Sequence, residues 1–557
     1  MTPRLLSVLL LTLPLFAWRI DRPGFSDTEG MFAEPAREMV RTGDWVTPRM
    51  NGEPFLTKPP LMYWLPAALF TVAGPTEYAR LWPALAAAAT VATTGALGTE
   101  LFGEAAGVTA AVVLATSLGF LVEARLLRAD MLLVFAVTLS LYCYVRVRRG
   151  SGVGIAIAFW ATIGMGLLDK GFLALLLPVG VIAVAEIVTG DLRARTLVSR
   201  LRALHAPLGL ALMIAIVLPW YWVTIVRNPG FLWDSIVNQQ ILRFVNAELP
   251  RDFIPDSLGF FWAMFFVRTL PWSLLLPAAL LHGSRAVNEQ PALRLTIVWV
   301  AVVLGLFSLA PSRLEHYSLP ALPAVALIVG VFLADAAAGR ALVSRAWSVA
   351  PLAAGVLLAL GCASQDPSTL MAKFAPTLAR YGLSPLLRAT VWTVAVGFGT
   401  LAVLLAASRT RAAVLVGGLS AIALFGFIQV AHERVEPLFS WRPFARTIRK
   451  SMLAETPVFF RASDEYQLCG GLDYYLGHYV SLLSPVNWVP PTYLAGRTDR
   501  LFTAPAGFDR AWRHGPAALV SDDVAFGQEA EIAPAPYTVV VRRGTRVLLG
   551  SGFPGRG

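Results

Sequence analysis

Long apolar stretches recur along most of the chain, and they constrain its fold more than any other feature. Hydrophobic residues make up 56% of the 557, and the mean hydropathy of +0.63 excludes an ordinary soluble protein of this size. The sequence therefore predicts a polytopic α-helical membrane protein with about 13 transmembrane helices. The stretches lie at about 5–20, 78–101, 106–123, 129–146, 153–169, 171–189, 204–225, 259–281, 292–310, 318–337, 347–363, 388–407 and 411–431.

Arginine clusters in the short loops predict the orientation. With an odd number of spans, the clusters near 146–149, 193–202, 285–294, 340–345 and 409–411 all fall on one side. Short cytoplasmic loops are enriched in Lys and Arg, so this side is predicted to be the cytoplasm, together with the N-terminus. The same loops account for the net charge of +11, and no nucleic-acid partner is expected.

Hydropathy falls after Ala431, which predicts a domain boundary. Residues 1–433 are predicted to form the transmembrane domain, including an external loop at 21–77 with interfacial helices. Residues 434–557 alternate short β-type runs with turn residues and predict a soluble, extracytoplasmic α/β domain. Within the first loop, Glu34, Arg37 and Glu38 have the spacing of one face of a surface helix, and no chemistry is assigned to them.

Charged residues near the outer membrane boundary point to phosphate chemistry. Arginine matches phosphate oxygens two at a time, and lysine supplies a point charge, so Lys58, Lys170, Arg243 and Arg313 are candidate ligands for a lipid-linked phosphate. Asp27 and Asp130 are candidate proton acceptors from an acceptor hydroxyl. A phosphate leaving group needs no general acid, which favours an inverting sugar transfer.

Each of these residues also has a structural interpretation. A boundary Lys or Arg commonly extends toward lipid headgroups, and Asp130 has Arg125 and Arg128 nearby as partners for a structural ion pair. Asp169 and Lys170 fit ordinary helix-end charges. The three cysteines, Cys143, Cys362 and Cys469, are too widely separated in the sequence to indicate a metal motif or a disulfide framework.

The first charged loop carries a family resemblance. Its sequence DTEGMFAEPAREMVRTGDWVTPRMNGEPFLTKPPLMYW, at 27–64, resembles bacterial polyprenyl-phosphate-sugar-dependent glycosyltransferases of the dolichyl-phosphate-mannose-protein mannosyltransferase superfamily. Within that superfamily the chain is most similar to the lipid A aminoarabinose transferases. Weaker matches follow in order over residues 1–330: EYARLWPAL, RLLRADMLL, GLLDKGFLALLLP, LPWYW, QQILRF, LPWSLLLP and SRLEHYSLPALPA.

The resemblance implies a C-type glycosyltransferase fold and a function. The enzyme would move a sugar from a polyprenyl-phosphate donor, such as undecaprenyl phosphate, to a lipid A-like or other envelope acceptor at the outer face of the bacterial inner membrane. The residues implied as catalytic are Asp27, Glu29 and Asp130, and those implied as donor-phosphate ligands are Lys58, Lys170, Arg243, Arg313 and Tyr317.

Departures from the family pattern leave several points open. The family has adjacent Asp-Glu where this chain has Asp27-Thr28-Glu29, so the base is either Asp27 or Glu29, with Asp27 favoured. Thr57 and Gln240 replace a Glu and a His of the aminoarabinose transferases. No metal ligands are therefore assigned, although a divalent cation is left open, as are the sugar and the acceptor.

Two other classes of function remain as alternatives. A multi-pass lipid or sugar transporter fits the number of spans, although ionisable residues are nearly absent from the span centres. A non-catalytic scaffold that displays the C-terminal domain leaves the charged first loop unexplained.

Overall fold

The structure, a computed structural model, describes residues 2–190, 194–250, 254–453, 455–462, 466–484 and 488–552. Arg193 of a predicted cytoplasmic cluster and residues 251–253 of a predicted external loop lie outside the described residues.

Helices dominate the fold. They are α1 (Pro3–Ala17), α2 (Asp27–Thr42), α3 (Leu61–Ala73), α4 (Leu81–Phe102), α5 (Glu104–Ala115), α6 (Leu118–Glu123), α7 (Asp130–Arg148), α8 (Val153–Lys170), α9 (Leu173–Val188), α10 (Ala194–Ala203), α11 (Ala206–Arg227), α12 (Phe231–Trp233), α13 (Leu258–Arg268), α14 (Leu276–Ala286), α15 (Leu293–Leu309), α16 (Leu322–Ala337), α17 (Ala346–Ala363), α18 (Pro367–Phe374), α19 (Pro376–Ala379), α20 (Ser384–Ala406), α21 (Thr410–Arg434), α22 (Arg442–Ser451), α23 (Gly470–Leu476), α24 (Thr498–Leu501) and α25 (Pro505–His514).

Among the described residues, eight helices are long and apolar enough to cross a membrane: α4, α7, α8, α11, α16, α17, α20 and α21. A ninth crossing is added if α13 and the segment Trp272–Ala286, which meet at a bend of 98°, form one span. Pro271 lies at this bend, and proline cannot continue an α-helix because it lacks the backbone N–H. Each predicted apolar stretch overlaps a helix, but four of those helices (α1, α5, α9 and α15) are shorter than a full crossing. The count of thirteen therefore stays a prediction.

Two sheets occur in the described part of the chain. The strands are β1 (Arg49–Met50), β2 (Glu53–Pro54), β3 (Val458–Arg461), β4 (Ser481–Leu483), β5 (Ala517–Ser521), β6 (Thr538–Arg543) and β7 (Arg546–Ser551). Strands β1 and β2 form a hairpin whose turn, Asn51-Gly52, has φ of 51° and 83°, as Asn-Gly turns require. The second sheet has the order β4-β3-β5-β7-β6, with β3 parallel to β4 and β5 and with β7 antiparallel to β5 and β6. This sheet confirms the small C-terminal α/β fold.

Two compact units divide the chain. The first, which we call the helical unit, comprises Met1–Ile20, Arg80–Pro219 and Pro255–Ala431. The second, the mixed unit, combines Asp21–Ala79, Trp220–Ile254 and His432–Gly557. The predicted boundary at 433/434 stays a prediction, because the mixed unit also draws on two earlier segments.

Small residues allow close helix packing in the helical unit. A Cβ atom at Gly98 of α4 would lie 2.8 Å from the Cα of Gly107 in α5, and one at Gly330 of α16 would lie 2.8 Å from the Cβ of Ala110. Glycine at these positions lets the backbones approach each other, as is common between membrane helices. These close contacts hold α4, α5 and α16 together in the helical unit.

Candidate active site

A charged cluster lies at one end of the spanning helices in the helical unit. Asp130 begins α7 and Lys170 ends α8, so each has the charge that its helix terminus favours. The Nζ of Lys170 donates a hydrogen bond to Oδ1 of Asp130, and both side chains are only 11% exposed. Nε2 of His316 lies 3.8 Å from the same oxygen, and the ring centroid of Tyr317 is 5.5 Å from Nζ. Three predicted site residues, Asp130, Lys170 and Tyr317, are thus neighbours.

Arg125 does not pair with Asp130. Its guanidinium donates to the backbone carbonyls of Phe16 and Arg19, at 2.9 and 2.8 Å. The partner of Asp130 is the lysine 40 residues further along the chain. Of the two nearby arginines, Arg125 therefore bonds to backbone carbonyls, and Arg128 acts on Asp130 only through its charge.

A second ion cluster adjoins the first and escaped the sequence reasoning. Nη1 of Arg268 donates to Oε1 of Glu123 at 2.9 Å, and Nη2 donates to Oε1 of Glu315 at 2.7 Å. The other carboxylate oxygen of Glu315 lies 3.4 Å from Nδ1 of His316, which links this cluster to Asp130. A charged residue at the end of the apolar run LGFFWAMFFVR was the available signal, because charge at such a position usually has a partner.

Arg313 contacts the backbone. Its Nε and Nη2 donate to the carbonyls of Phe307 and Ser308 at 3.3 and 3.1 Å, and its Nη1 donates to the carbonyl of Asp256 at 3.3 Å. These bonds satisfy carbonyl groups near the end of α15. The role of Arg313 as a phosphate ligand stays a prediction.

Asp27 occupies the first turn of α2 in the mixed unit. Its Oδ2 accepts a hydrogen bond from Nη2 of Arg546, whose guanidinium carbon lies 4.1 Å from the ring centroid of Trp441. Burial raises the pKa of Asp27 to about 6, although the positive charge of Arg546 acts in the opposite direction. A carboxylate with a pKa near neutrality is suited to accept a proton.

Glu29 caps the same helix. Its Oε2 accepts hydrogen bonds from the backbone N–H and the hydroxyl of Ser26, each at 3.0 Å, which completes a capping box. Glu29 is fully buried, whereas the side chain of Asp27 is 25% exposed. The geometry therefore favours Asp27 over Glu29 as a base that meets a substrate.

The remaining charged residues of α2 are buried. Glu34 accepts two hydrogen bonds from Arg37, at 2.6 and 2.7 Å, and Glu38 accepts one from Arg41 at 2.7 Å. Both carboxylates are buried, so the prediction of an exposed charged face is wrong. The reason is that α2 packs against α23, and burial raises the pKa of Glu34 to about 7.

Lys58 and Arg243 also lie in the mixed unit. Lys58 is half-buried in the segment between β2 and α3. Arg243 follows a π-helix at Asp234–Leu242, and its backbone N–H donates to the carbonyl of Asn238 at 2.9 Å. The amide of Asn238 bonds both the N–H and the carbonyl of Leu249, which secures the loop after Arg243.

A metal centre does not fit this donor set. Within the described ranges, no group of three or more His, Cys, Asp or Glu side chains could hold a metal ion. Thr57 and Gln240, which replace a Glu and a His of the family, are weak metal ligands.

Known proteins resemble this chain in sequence. A family model described as dolichyl-phosphate-mannose-protein mannosyltransferase matches residues 20–233. An undecaprenyl phosphate-alpha-4-amino-4-deoxy-L-arabinose arabinosyl transferase of Yersinia enterocolitica is 28% identical over 328 residues, which are 56% of this chain and 55% of that protein. The protein of the same name from Serratia proteamaculans is 29% identical over 318 residues, with the same coverage. The chain thus spans about half the length of the curated relatives that it matches.

Solved structures share the fold over nearly the whole chain. ArnT from Cupriavidus metallidurans in the apo state superimposes with a TM-score of 0.80 at 22% identity, covering 99% of both chains. The same protein bound to undecaprenyl phosphate gives a TM-score of 0.80 at 23% identity, covering 99% of this chain and 98% of that one. The predicted C-type glycosyltransferase fold is confirmed.

These similarities favour the glycosyltransferase interpretation over the transporter interpretation. They also support the predicted place of the chain in the inner membrane. The chain is a multi-pass membrane protein with the fold of ArnT, and its predicted resemblance to the dolichyl-phosphate-mannose-protein mannosyltransferase superfamily is confirmed.

Proposed function

We propose that the protein is an inverting glycosyltransferase that moves a sugar from a polyprenyl-phosphate donor to a lipid A-like or other envelope acceptor. The observation that carries this proposal is the fold shared over 99% of the chain with ArnT, which has been solved bound to undecaprenyl phosphate. The similarity to aminoarabinose transferases supports the same class of donor. Because Thr57 and Gln240 replace a Glu and a His of the aminoarabinose transferases, the test covers several sugars and a mixed acceptor.

The reaction is a single displacement at the anomeric carbon. The acceptor hydroxyl oxygen bonds to that carbon, the bond from the carbon to the phosphate oxygen breaks, and polyprenyl phosphate leaves with the electron pair. The acceptor proton passes to a carboxylate, for which we propose Asp27. Its pKa of about 6 supports this role, because the carboxylate is ionised at neutral pH.

Cationic and polar residues are proposed to stabilise the phosphate as charge develops on it. We assign this role to Lys58, Lys170, Arg243 and Tyr317, and with less structural support to Arg313, whose guanidinium bonds to carbonyls. Asp130 is proposed to hold the ammonium group of Lys170 in place. Charge in a site with little water stabilises such a leaving group more than it would in bulk solvent.

The reaction is proposed to occur on the outer face of the inner membrane. The arginine-rich loops predict a cytoplasmic N-terminus and an extracytoplasmic C-terminal domain. Asp130 and Lys170 lie at the helix ends opposite to those loops, which supports the assignment.

A transfer assay tests the proposal directly. Purified protein in detergent with lipids receives a panel of polyprenyl-phosphate sugars and a crude envelope acceptor, and mass spectrometry detects the released polyprenyl phosphate. We expect release from one donor in the wild type, at least about 100-fold less in Lys58→Ala, and unchanged release in Lys450→Ala, which alters an exposed lysine. No release from any donor, with the protein folded, would favour the transporter alternative.

A further inference from the structure

A cavity of about 500 Å³ in the helical unit lies far from the candidate active site. It opens where α7 and α9 end and where α15 begins, and residues of all three helices line it. Asp130 begins α7 and Arg148 ends it, so the cavity lies about 27 Å along that helix from Asp130, at 1.5 Å per residue. This distance matches the thickness of the hydrocarbon layer, about 30 Å. The cavity is therefore at the level of the opposite layer of lipid headgroups.

Positive charge dominates the lining of this cavity. Arg148, Arg149 and Arg294 line it, and Glu186 is the one carboxylate among the lining residues that the structure describes. Glu186 already accepts hydrogen bonds from Tyr144 and Arg148, and its Oε2 lies 3.6 Å from Nη2 of Arg200. Glu186 is thus paired with Arg148 and Arg200, and it pairs with neither Arg149 nor Arg294.

Two arginines of the cavity, Arg149 and Arg294, have guanidinium N–H groups that can bind a ligand. Nη1 of Arg149 bonds to Glu100, and 48% of the Arg149 side chain is exposed. Arg294 is half-buried, and its guanidinium makes no ion pair or side-chain hydrogen bond with another residue in the described ranges. Planar guanidinium groups match phosphate oxygens two at a time. An adjoining cavity of about 480 Å³ shares Arg149 with the first.

Apolar side chains complete the cavity wall. Leu101 of α4, Val145 of α7 and Leu295 of α15 line the same space as the arginines. A ligand that suits both surfaces carries an anionic phosphate next to hydrocarbon. Basic pockets between membrane helices on the cytoplasmic side bind such headgroups.

We propose that this cavity binds the phosphate of an anionic membrane phospholipid, with Arg149 and Arg294 as its ligands. This binding site is separate from the donor site of the proposed transfer reaction, since it lies at the other end of α7. The transfer assay and a lipid-binding assay therefore fail or succeed independently.

Native mass spectrometry of the purified full-length protein tests this site. The protein is titrated with phosphatidylglycerol, with zwitterionic phosphatidylcholine and with inorganic phosphate. We expect phosphatidylglycerol to bind at least about fivefold more tightly than phosphatidylcholine, and about fivefold more weakly to Arg149→Gln or Arg294→Gln than to the wild type. Arg411→Gln, at an exposed arginine in the first turn of α21 on the side predicted to be cytoplasmic, is the control and is expected to bind as the wild type does.

Several outcomes would overturn the proposal. Wild-type affinity in both cavity variants would exclude the site, and an equal loss in Arg411→Gln would show a general effect of surface charge. Displacement of the lipid by an equal concentration of inorganic phosphate would show that the site takes free phosphate instead. Arg294→Gln removes no ion pair or side-chain hydrogen bond between described residues and is expected to fold, so it decides the test if Arg149→Gln does not fold.

Discussion

At the Asp27 carboxylate, burial and a neighbouring cation act in opposite directions. Burial disfavours the ionised form most strongly, the positive charge of Arg546 favours it, and the negative charge of Asp522 acts with burial, so that the pKa is about 6. The carboxylate is therefore mostly ionised at neutral pH but takes up a proton in mild acid. This is the behaviour expected of a general base that works near neutrality.

This balance predicts the pH dependence of the transfer rate. The base acts in its ionised form, so the rate is expected to rise with pH through a midpoint near 6 and then to level off. Removing the cation with Arg546→Gln takes away the main stabilisation of the ionised form and is expected to move that midpoint to higher pH. The measurement is the rate at saturating donor from pH 4.5 to 9. A midpoint that stays in place in Arg546→Gln would contradict the assignment of Asp27 as the base.

The Lys170–Asp130 pair predicts a separation of stability from activity. Lys170→Met leaves a buried carboxylate without its partner, and we expect a loss of about 3–5 kcal/mol in the free energy of unfolding. Adding Asp130→Asn removes the unpaired charge and is expected to restore much of the stability, but no transfer activity. Thermal unfolding in detergent and the transfer assay are measured on the same samples. Recovery of activity in the double variant would show that the pair is structural only.

At the scale of single elements, the first turn of α2 holds two carboxylates with different partners. Glu29 caps the helix and Asp27 meets Arg546, although only Thr28 separates them in the sequence. Residues two positions apart in a helix point about 200° apart, so one side chain turns back to the helix end while the other reaches strand β7. Because the two carboxylates have different partners, substitutions can show whether Asp27 or Glu29 is the base.

Conservative amide substitutions distinguish the two carboxylates. Glutamine also accepts hydrogen bonds in a capping box, so Glu29→Gln is expected to retain most of the activity and stability. Asp27→Asn removes the proton acceptor and is expected to lower the rate at least about 100-fold while the protein stays folded. The comparison uses initial rates and circular dichroism. The opposite ranking of the two variants would make Glu29 the base.

Arg268 ends α13, just before the bend to α14, and bonds to Glu123 and Glu315. Arg268→Met leaves two carboxylates, one of them fully buried, without a cation, and we expect a loss of about 3–5 kcal/mol in unfolding free energy. Thermal unfolding measures the effect, and Arg409→Met, at an exposed loop arginine, is the matched control. Equal stability of the two variants would show that the ion cluster does not support the bend.

At the scale of the whole molecule, cysteine labelling tests the topology. In a Cys362→Ser background, the two other native cysteines are buried. Ala338→Cys lies in an exposed turn predicted to be cytoplasmic, and Arg380→Cys lies in an exposed loop predicted to be outside. We expect an impermeant maleimide to label Arg380→Cys in intact spheroplasts and to label Ala338→Cys only after lysis. The reverse pattern would invert the proposed orientation.

Sequence reasoning predicted the parts of this molecule that local patterns encode. Long apolar runs located the helices, and the order of motifs over residues 1–330 indicated the family. Contacts between distant segments could not be predicted, because no periodicity connects Asp27 with Arg546, or Glu123 with Arg268. The burial of Glu34 was missed for the same reason, since the packing of α2 on α23 is a tertiary contact.

The mixed unit draws its residues from three separated parts of the chain, and this arrangement constrains how the protein is made. Arg546 follows Asp27 by 519 residues. At a synthesis rate of about 5–20 residues per second, the first segment waits roughly 25–100 seconds for its partner. During that time the carboxylates and apolar side chains of α2 that are buried in the finished protein lack the segments that cover them. We expect periplasmic chaperones to protect this segment in cells, and truncation before strand β7 to expose it to proteolysis.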